Sequence, residues 1–175
     1  PASGKSTLSK ELSELLNIPC IRMSDIDLSL KYKIGRPPSD DEWQDYAQEL
    51  LMADKWLTDG YMSKSLDLRF KLSDSIIFID IPLIFCLRNA FNRGLKNMFL
   101  RSETVHYTYN KTFFSRIAYA LGPRIYRRVF IFHIYRKQRL IESLYGLHNE
   151  KVIIVIKNRK QMKDLIHYVS LKERL

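Results

Sequence analysis

The chain has 175 residues, 46% apolar and 27% charged, a size and balance that fit one domain with a sizeable buried core and exclude disorder, a disulfide scaffold and a collagen-like fibre. Lys and Arg number 29 against 19 Asp and Glu, a net charge of +10, and so basic a protein usually meets phosphate. The charge is uneven: residues 1–80 hold 10 basic and 14 acidic side chains, a net of −4, and residues 81–175 hold 19 and 5, a net of +14. Cys20 and Cys86 stand alone, with no metal-ligand or CxxC spacing, so a reducing compartment is expected. No apolar run approaches the roughly 18 residues of a membrane span and no secretory signal opens the chain, which predicts a cytoplasmic protein.

Ser3-Gly4-Lys5-Ser6-Thr7 reads as the end of GxxxxGKS/T, a loop whose backbone N–H groups cradle phosphates at a helix N-terminus. Leu8, Leu12, Leu15 and Leu16 follow at helical spacing, so the loop opens a helix as its mechanism requires. In this reading Lys5 contacts the β- and γ-phosphates of ATP, Ser6 supplies a Mg²⁺ ligand, and the amides from Ser3 to Thr7 wrap the phosphates. The strand that feeds such a loop and its first Gly would lie upstream of Pro1, so the pattern predicts that about one strand and turn precede the residues given.

A short strand is predicted over 18–23, leading into Ser24-Asp25-Ile26-Asp27 and a loop with Gly35, Pro37 and Pro38. Ser39-Asp40-Asp41-Glu42 has capping-box spacing and starts a helix over about 40–53 with Trp43, Tyr46, Ala47, Leu50 and Leu51 on its buried face. Lys55-Trp56-Leu57-Thr58-Asp59-Gly60 reads as a short strand delivering Asp59 to a turn. Residues 75–80 form a stronger strand, an apolar run of the kind covered on both sheet faces. A long helical stretch begins after Pro82, and Val152–Ile156 is the last strand before an amphipathic terminal helix. Strands alternating with helices predict a parallel α/β sheet with crossovers.

Ligands of such sheets bind beyond the carboxyl ends of the strands. Asp25, Asp27, Asp59 and Asp80 all fall at or just past predicted strand ends. Each also suits an ordinary helix or turn cap. Asp59, ending an apolar strand, has the placement that holds Mg²⁺ through water beside the loop Ser. Asp25 or Asp27 is placed to orient or deprotonate the accepting hydroxyl. Asp80 reads as structural. Arg69 is a candidate grip for an anionic acceptor, or equally an ion-pair partner of Asp67 or Asp74.

As a set these residues resemble the nucleoside-monophosphate-kinase-like P-loop proteins, and more narrowly the adenylate-kinase-related group known as DNA topology modulation proteins. The likeness rests on the Gly-Lys-Ser-Thr start and a strand ending near Asp25. It also rests on Trp56-Leu57-Thr58-Asp59-Gly60-Tyr61-Met62-Ser63 against the group's WxxDGNYS, and on Leu66-Asp67-Leu68-Arg69 running into Ile76-Ile77-Phe78-Ile79-Asp80-Ile81-Pro82. With Cys86-Leu87-Arg88 and Arg93 it covers most of residues 1–93. The resemblance implies a three-layer P-loop fold with a 2-3-1-4-5 parallel sheet, ATP·Mg²⁺ as phosphoryl donor, and a lid bearing arginines, among which Arg88 and Arg93 lie nearest the match. The chain departs from the group at Tyr61, where the group has Asn. Arg22 and Met23 stand where a His often precedes the second-strand Asp. Met62 and Ser63 replace the Pro and Arg of the adenylate-kinase form, which argues against AMP as acceptor. Ser24-Asp25-Ile26-Asp27 also looks like the Asp-x-Asp of shikimate-type kinases, which shifts the acceptor towards a small hydroxylated metabolite.

The resemblance gives one kinase-like domain over residues 1–175, with 88–145 as a basic lid region. Between Arg88 and Arg139 twelve Lys and Arg face one acid, Glu103, with aromatics interleaved. Lid arginines neutralise charge on the transferring phosphoryl group. The remainder fit a solvated helix face over core aromatics, a surface for nucleic acid or another polyanion, or an amphipathic helix on an anionic membrane. The four His residues lie outside metal spacing. Two functions therefore stand: an ATP-dependent phosphotransferase acting on a small hydroxyl or phosphate acceptor, and an ATP-binding regulatory module that engages a polyanion through the basic half.

Overall fold

The computed structural model describes residues 1–61, 63–99 and 122–173, a mixed α/β chain. They form two compact units, Gly4–Phe78 with Glu150–Leu175 and Pro1–Ser3 with Ile79–Asn149.

In the larger unit, helix α1 (Lys5–Leu16) starts after Gly4, whose φ of 91° is open to glycine and strained for other residues, and ends at Asn17 in the left-handed region. Leu8 and Leu12 are buried on its inner face, as the leucine spacing predicts. Strand β1 (Cys20–Arg22) is shorter than expected, because helix α2 (Met23–Ile34) begins at once. Residues 24–34 were expected to be strand end and loop. The helical signal is Met23, Ile26, Leu30 and Ile34, one apolar face closed by Gly35 at φ 75°. Met23, Ile26 and Leu30 join Trp43 and Ala47 in a buried cluster, with Ile21, Ile34, Tyr46, Leu50 and Leu68 packed around it.

Helix α3 (Asp40–Leu51) carries the expected capping box: Glu42 N–H donates to Ser39 Oγ at 3.2 Å, and Ser39 N–H donates to Glu42 Oε2 at 2.8 Å. Arg36 grips the same carboxylate with two hydrogen bonds of 2.8 and 2.9 Å. The Arg36 hydrogen bond first, and the Ser39 backbone second, hold the Glu42 carboxyl down at about 2. A depressed carboxylate contributes stability above its unfolded value and loses it as pH falls through the folded one. Acid destabilisation between about pH 4.5 and 2 is therefore expected to shrink in Glu42→Gln, checked by comparing urea midpoints of the two proteins across that window.

Strand β2 (Leu57–Asp59) pairs parallel with β1, Cys20 opposite Leu57 and Arg22 opposite Asp59. Helix α4 (Leu66–Leu72) leads to β3 (Ser75–Ile79), which pairs with β4 (Val152–Ile156). Lys151 donates to the carbonyls of Lys71 at 2.9 Å and Ser73 at 2.6 Å, placing a cation at the C-terminus of α4. The single multi-stranded sheet expected from the alternation is thus two separate two-stranded sheets among the described residues. The β3 run, expected to be covered on both faces, is only partly so: Phe78 is buried, Ile76, Ile77 and Ile79 are half-buried, and Ser75 is exposed. The terminal helix (Arg159–Lys172), with Asn158 as N-cap, packs on α1 and β4.

The smaller unit is helical. Helix α5 (Leu83–Phe99) starts after Pro82, as predicted, and packs against α6 (Pro123–Ile131), which continues through a π-turn (Phe132–Arg136) into α7 (Lys137–Leu147). Ile81, Cys86, Ala90, Val129 and Leu144 are buried here. The π-turn aims His133 at two backbone carbonyls, Nδ1 3.0 Å from Val129 O and Nε2 3.1 Å from Ile81 O. Asp80 forms a 2.6 Å ion pair with Lys137, in keeping with its reading as structural. Replacing His133 by Leu unties the 80–82 turn from the π-turn and is expected to cost about 1–2 kcal/mol, measurable by urea denaturation. Residues 100–121 of the presumed lid lie outside the described residues.

Candidate active site

The site builds on the carboxyl end of β2. Its last residue, Asp59, is buried, and its Oδ1 lies 3.6 Å from Lys5 Nζ in the first turn of α1. The Lys5 side chain is 38% exposed and that of Asp59 only 5%, so the pair has one half-exposed member and one buried member. Buried Oδ1 receives no hydrogen bond among the described residues. A carboxylate oxygen in that position costs free energy unless a cation or water serves it.

The turn after Asp59 is held from two sides. Gly60 has φ 128°, and a Cβ there would sit 3.2 Å from Met23 Cβ, so both backbone and space require glycine. On the other side Arg69, buried on α4, donates from Nη1 to Gly60 O at 2.8 Å and from Nε to Ser65 O at 3.3 Å. Burial pulls the guanidinium down to about 10, and the nearby Asp59 charge opposes that. Asp59 therefore stands in the field of two cations, one buried and one half-exposed.

The other predicted residues are distributed as follows. Ser6 and Thr7 are exposed on the first turn of α1, and Ser3 and Gly4 precede it half-buried. Thr7 N–H and Leu8 N–H donate to Gly4 O, both at 3.1 Å. The helix thus begins within the loop, and its first-turn amides lie along the axis where an anion is favoured. Asp25 is exposed in the first turn of α2 and accepts from Ser24 Oγ at 3.3 Å. Asp27 follows on the same helix, and its side chain lies outside the described part. The register sets Arg22 opposite Asp59, so α2 starts beside the end of β2, and both acids sit on a helix rather than at the expected strand end. Arg88 and Arg93 are exposed on α5 of the other unit. Met62 of the Trp-Leu-Thr-Asp-Gly-Tyr-Met-Ser segment lies outside the described residues.

Sequence reasoning did not foresee that Arg69 holds the Asp59–Gly60 turn. The available signal was an arginine on the helix directly following that turn, on the side that carries Ser65 and Leu68 inward. The ion pair of Asp80 with Lys137, distant in sequence, left no local signal.

Ser6 and Asp59 are the side chains that could hold a divalent cation here. One offers an exposed hydroxyl at the helix start and the other an orphaned carboxylate oxygen at the strand end, the hard oxygen donors that the ion prefers. Among the described residues no three His, Cys, Asp or Glu side chains cluster to hold a metal unaided. Phosphate oxygens would have to complete the shell. In comparisons with known proteins, no family model, no curated protein and no solved structure matches the chain.

Proposed function

We propose that this protein is an ATP-dependent phosphotransferase of the P-loop, nucleoside-monophosphate-kinase-like class, moving the γ-phosphoryl group of ATP·Mg²⁺ to a small hydroxyl or phosphate acceptor. The observation that carries this reading is the approach of Lys5 at the start of α1 to buried Asp59 at the end of a parallel strand, 3.6 Å apart. A lysine opening a helix next to a strand-end carboxylate gathers the phosphate-binding and metal-directing groups of phosphoryl transfer. The sheet pairing supports the same class. β1 and β2 pair in parallel with Asp59 at the carboxyl end of β2, the sheet edge at which ligands of parallel α/β folds bind.

In this mechanism the amides from Ser3 to Thr7 and the Lys5 ammonium bind the phosphates. Ser6 and Asp59 are the residues that would hold the metal. Mg²⁺ supplies charge neutralisation on the phosphate oxygens when bound. The acceptor oxygen forms a bond to the γ-phosphorus as the bond to the ADP oxygen breaks, and the acceptor's proton passes to Asp25 or Asp27. Arg88 and Arg93 are the lid arginines of the proposal. Arg69, with donors committed to Gly60 and Ser65, has less to offer an acceptor than its sequence position suggested. Nucleotide-like and small-metabolite acceptors are both consistent with the site, and the proposed setting is the cytoplasm. No helix among the described residues is long and apolar enough to cross a membrane. A phosphoryl-acceptor screen with ATP·Mg²⁺ tests the proposal: ADP together with a phosphorylated small molecule supports it, and absence of both turnover and ATP binding overturns it.

A second reading is an ATP-binding regulatory module that engages nucleic acid or another polyanion. It draws on the exposed Arg124, Arg127, Arg128, Arg136 and Arg139 along α6, the π-turn and α7, with Phe130 and Tyr135 exposed among them. Such a surface suits backbone charge and base stacking together. Oligonucleotide affinity should then fall steeply between about 50 and 200 mM salt, and no binding at the lower salt rejects this reading.

A further inference from the structure

We propose that Lys5 and Asp59 form an exchangeable latch: nucleotide phosphate must draw the Lys5 ammonium off Asp59 before it can be bound, and the carboxylate so released is then served by a divalent cation. The inference rests on the nucleotide-binding reading and adds how that site is regulated.

The two members of the pair are unequally held. Asp59 is a strand residue with its side chain 5% exposed, while Lys5 reaches it with a flexible stem and stays 38% exposed. At 3.6 Å the contact is an ion pair without a hydrogen bond, so separating the charges breaks no aligned donor–acceptor geometry. Lys5 is therefore the member that moves. Arg69 remains behind, buried against Gly60 O and Ser65 O, and keeps the carboxylate from standing in an uncompensated dry site.

A single ammonium cannot be centred on both Asp59 and a bound phosphate. A metal-free polyphosphate thus binds only the fraction of molecules in which Lys5 has left Asp59, and its apparent affinity falls by that fraction. Departure of Lys5 leaves Oδ1, which has no hydrogen bond among the described residues, open to a cation. Anion and divalent cation each take one half of the same pair, so the binding of one favours the other by an equal factor. The latch also gives a reason for the orphaned oxygen: hydrogen-bonded donors there would compete with the incoming cation.

The test compares the full chain with Asp59→Asn in two measurements. The first is affinity for ATP in excess EDTA and in excess Mg²⁺, by calorimetry. Metal-free ATP should bind the variant roughly two- to fivefold more tightly, the scale of one ion pair, and the gain on adding Mg²⁺ should be smaller than in the parent. The second needs no nucleotide: the acylation rate of Lys5 by acetic anhydride, read by mass spectrometry, should rise about threefold or more in the variant on the same ion-pair scale. If the parent binds ATP but the variant binds metal-free ATP no better, the latch is wrong and the nucleotide reading stands. A parent that binds no ATP under either condition overturns the nucleotide reading and this regulatory role with it. An unchanged acylation rate rejects the latch whatever the nucleotide result. If Asp59→Asn fails to fold by circular dichroism, Asp59→Ser is carried through both measurements with the same expected outcomes.

Discussion

Lys5→Ala is expected to abolish phosphoryl transfer, lowering turnover by at least about 10²-fold, the loss typical of removing one preorganised donor that meets developing charge, while leaving the fold intact. The side chain is 38% exposed and its recorded partner is Asp59, so truncation removes a charge from a wet surface rather than a piece of the core. The apolar face of α1, Leu8 and Leu12, is untouched. Thermal melting should therefore move little, whereas steady-state turnover with ATP·Mg²⁺ should drop towards background. Retained turnover in a folded Lys5→Ala protein would sink the phosphotransferase proposal. A melting point lower by many degrees would instead mean that the Lys5–Asp59 pair is mainly structural.

Arg69→Met is expected to act in the opposite way, on the fold first. The guanidinium is buried, and it donates to Gly60 O and Ser65 O while opposing the Asp59 charge. Met preserves much of the bulk but leaves two carbonyls short of a donor and a buried carboxylate with only half-exposed Lys5 beside it. Removing one partner from a buried charge cluster costs about 3–5 kcal/mol, enough to threaten a domain of ordinary stability. Arg69→Lys should recover part of the loss, because an ammonium restores the charge but not the fork that spans Gly60 and Ser65. The ordering to check by urea denaturation is parent, then Lys, then Met. Equal stability of all three would show that the turn after Asp59 does not depend on this side chain.

Local chemistry made much of the fold readable from residues alone. The capping box at Ser39 and Glu42, the leucine face of α1, the run at Val152–Ile156 and the break at Pro82 depend on neighbours a few positions away, and each produced the expected element. Helix α2 was not anticipated, although Met23, Ile26, Leu30 and Ile34 with Gly35 behind them carried its signal, because Asp25 and Asp27 read as carboxylates at a strand end. The ambiguity arises because an acid such as Asp25 can serve the free N–H groups of a helix's first turn as well as those of a turn.

What the sequence by itself determined is therefore the set of elements and the chemistry at their ends: a Gly-Lys-Ser-Thr helix start, a strand closing on Asp59, and a net charge of +14 on residues 81–175. Only the tertiary structure decided which of those ends meet. Strand pairing split the expected sheet into β1–β2 and β3–β4, and the path of α4 carried Arg69 inward to the Asp59 turn. Packing on β2 brought Lys5 to Asp59. These contacts join residues far apart in the chain, where helical and strand periodicities carry no information, and their energies depend on burial that no local pattern specifies.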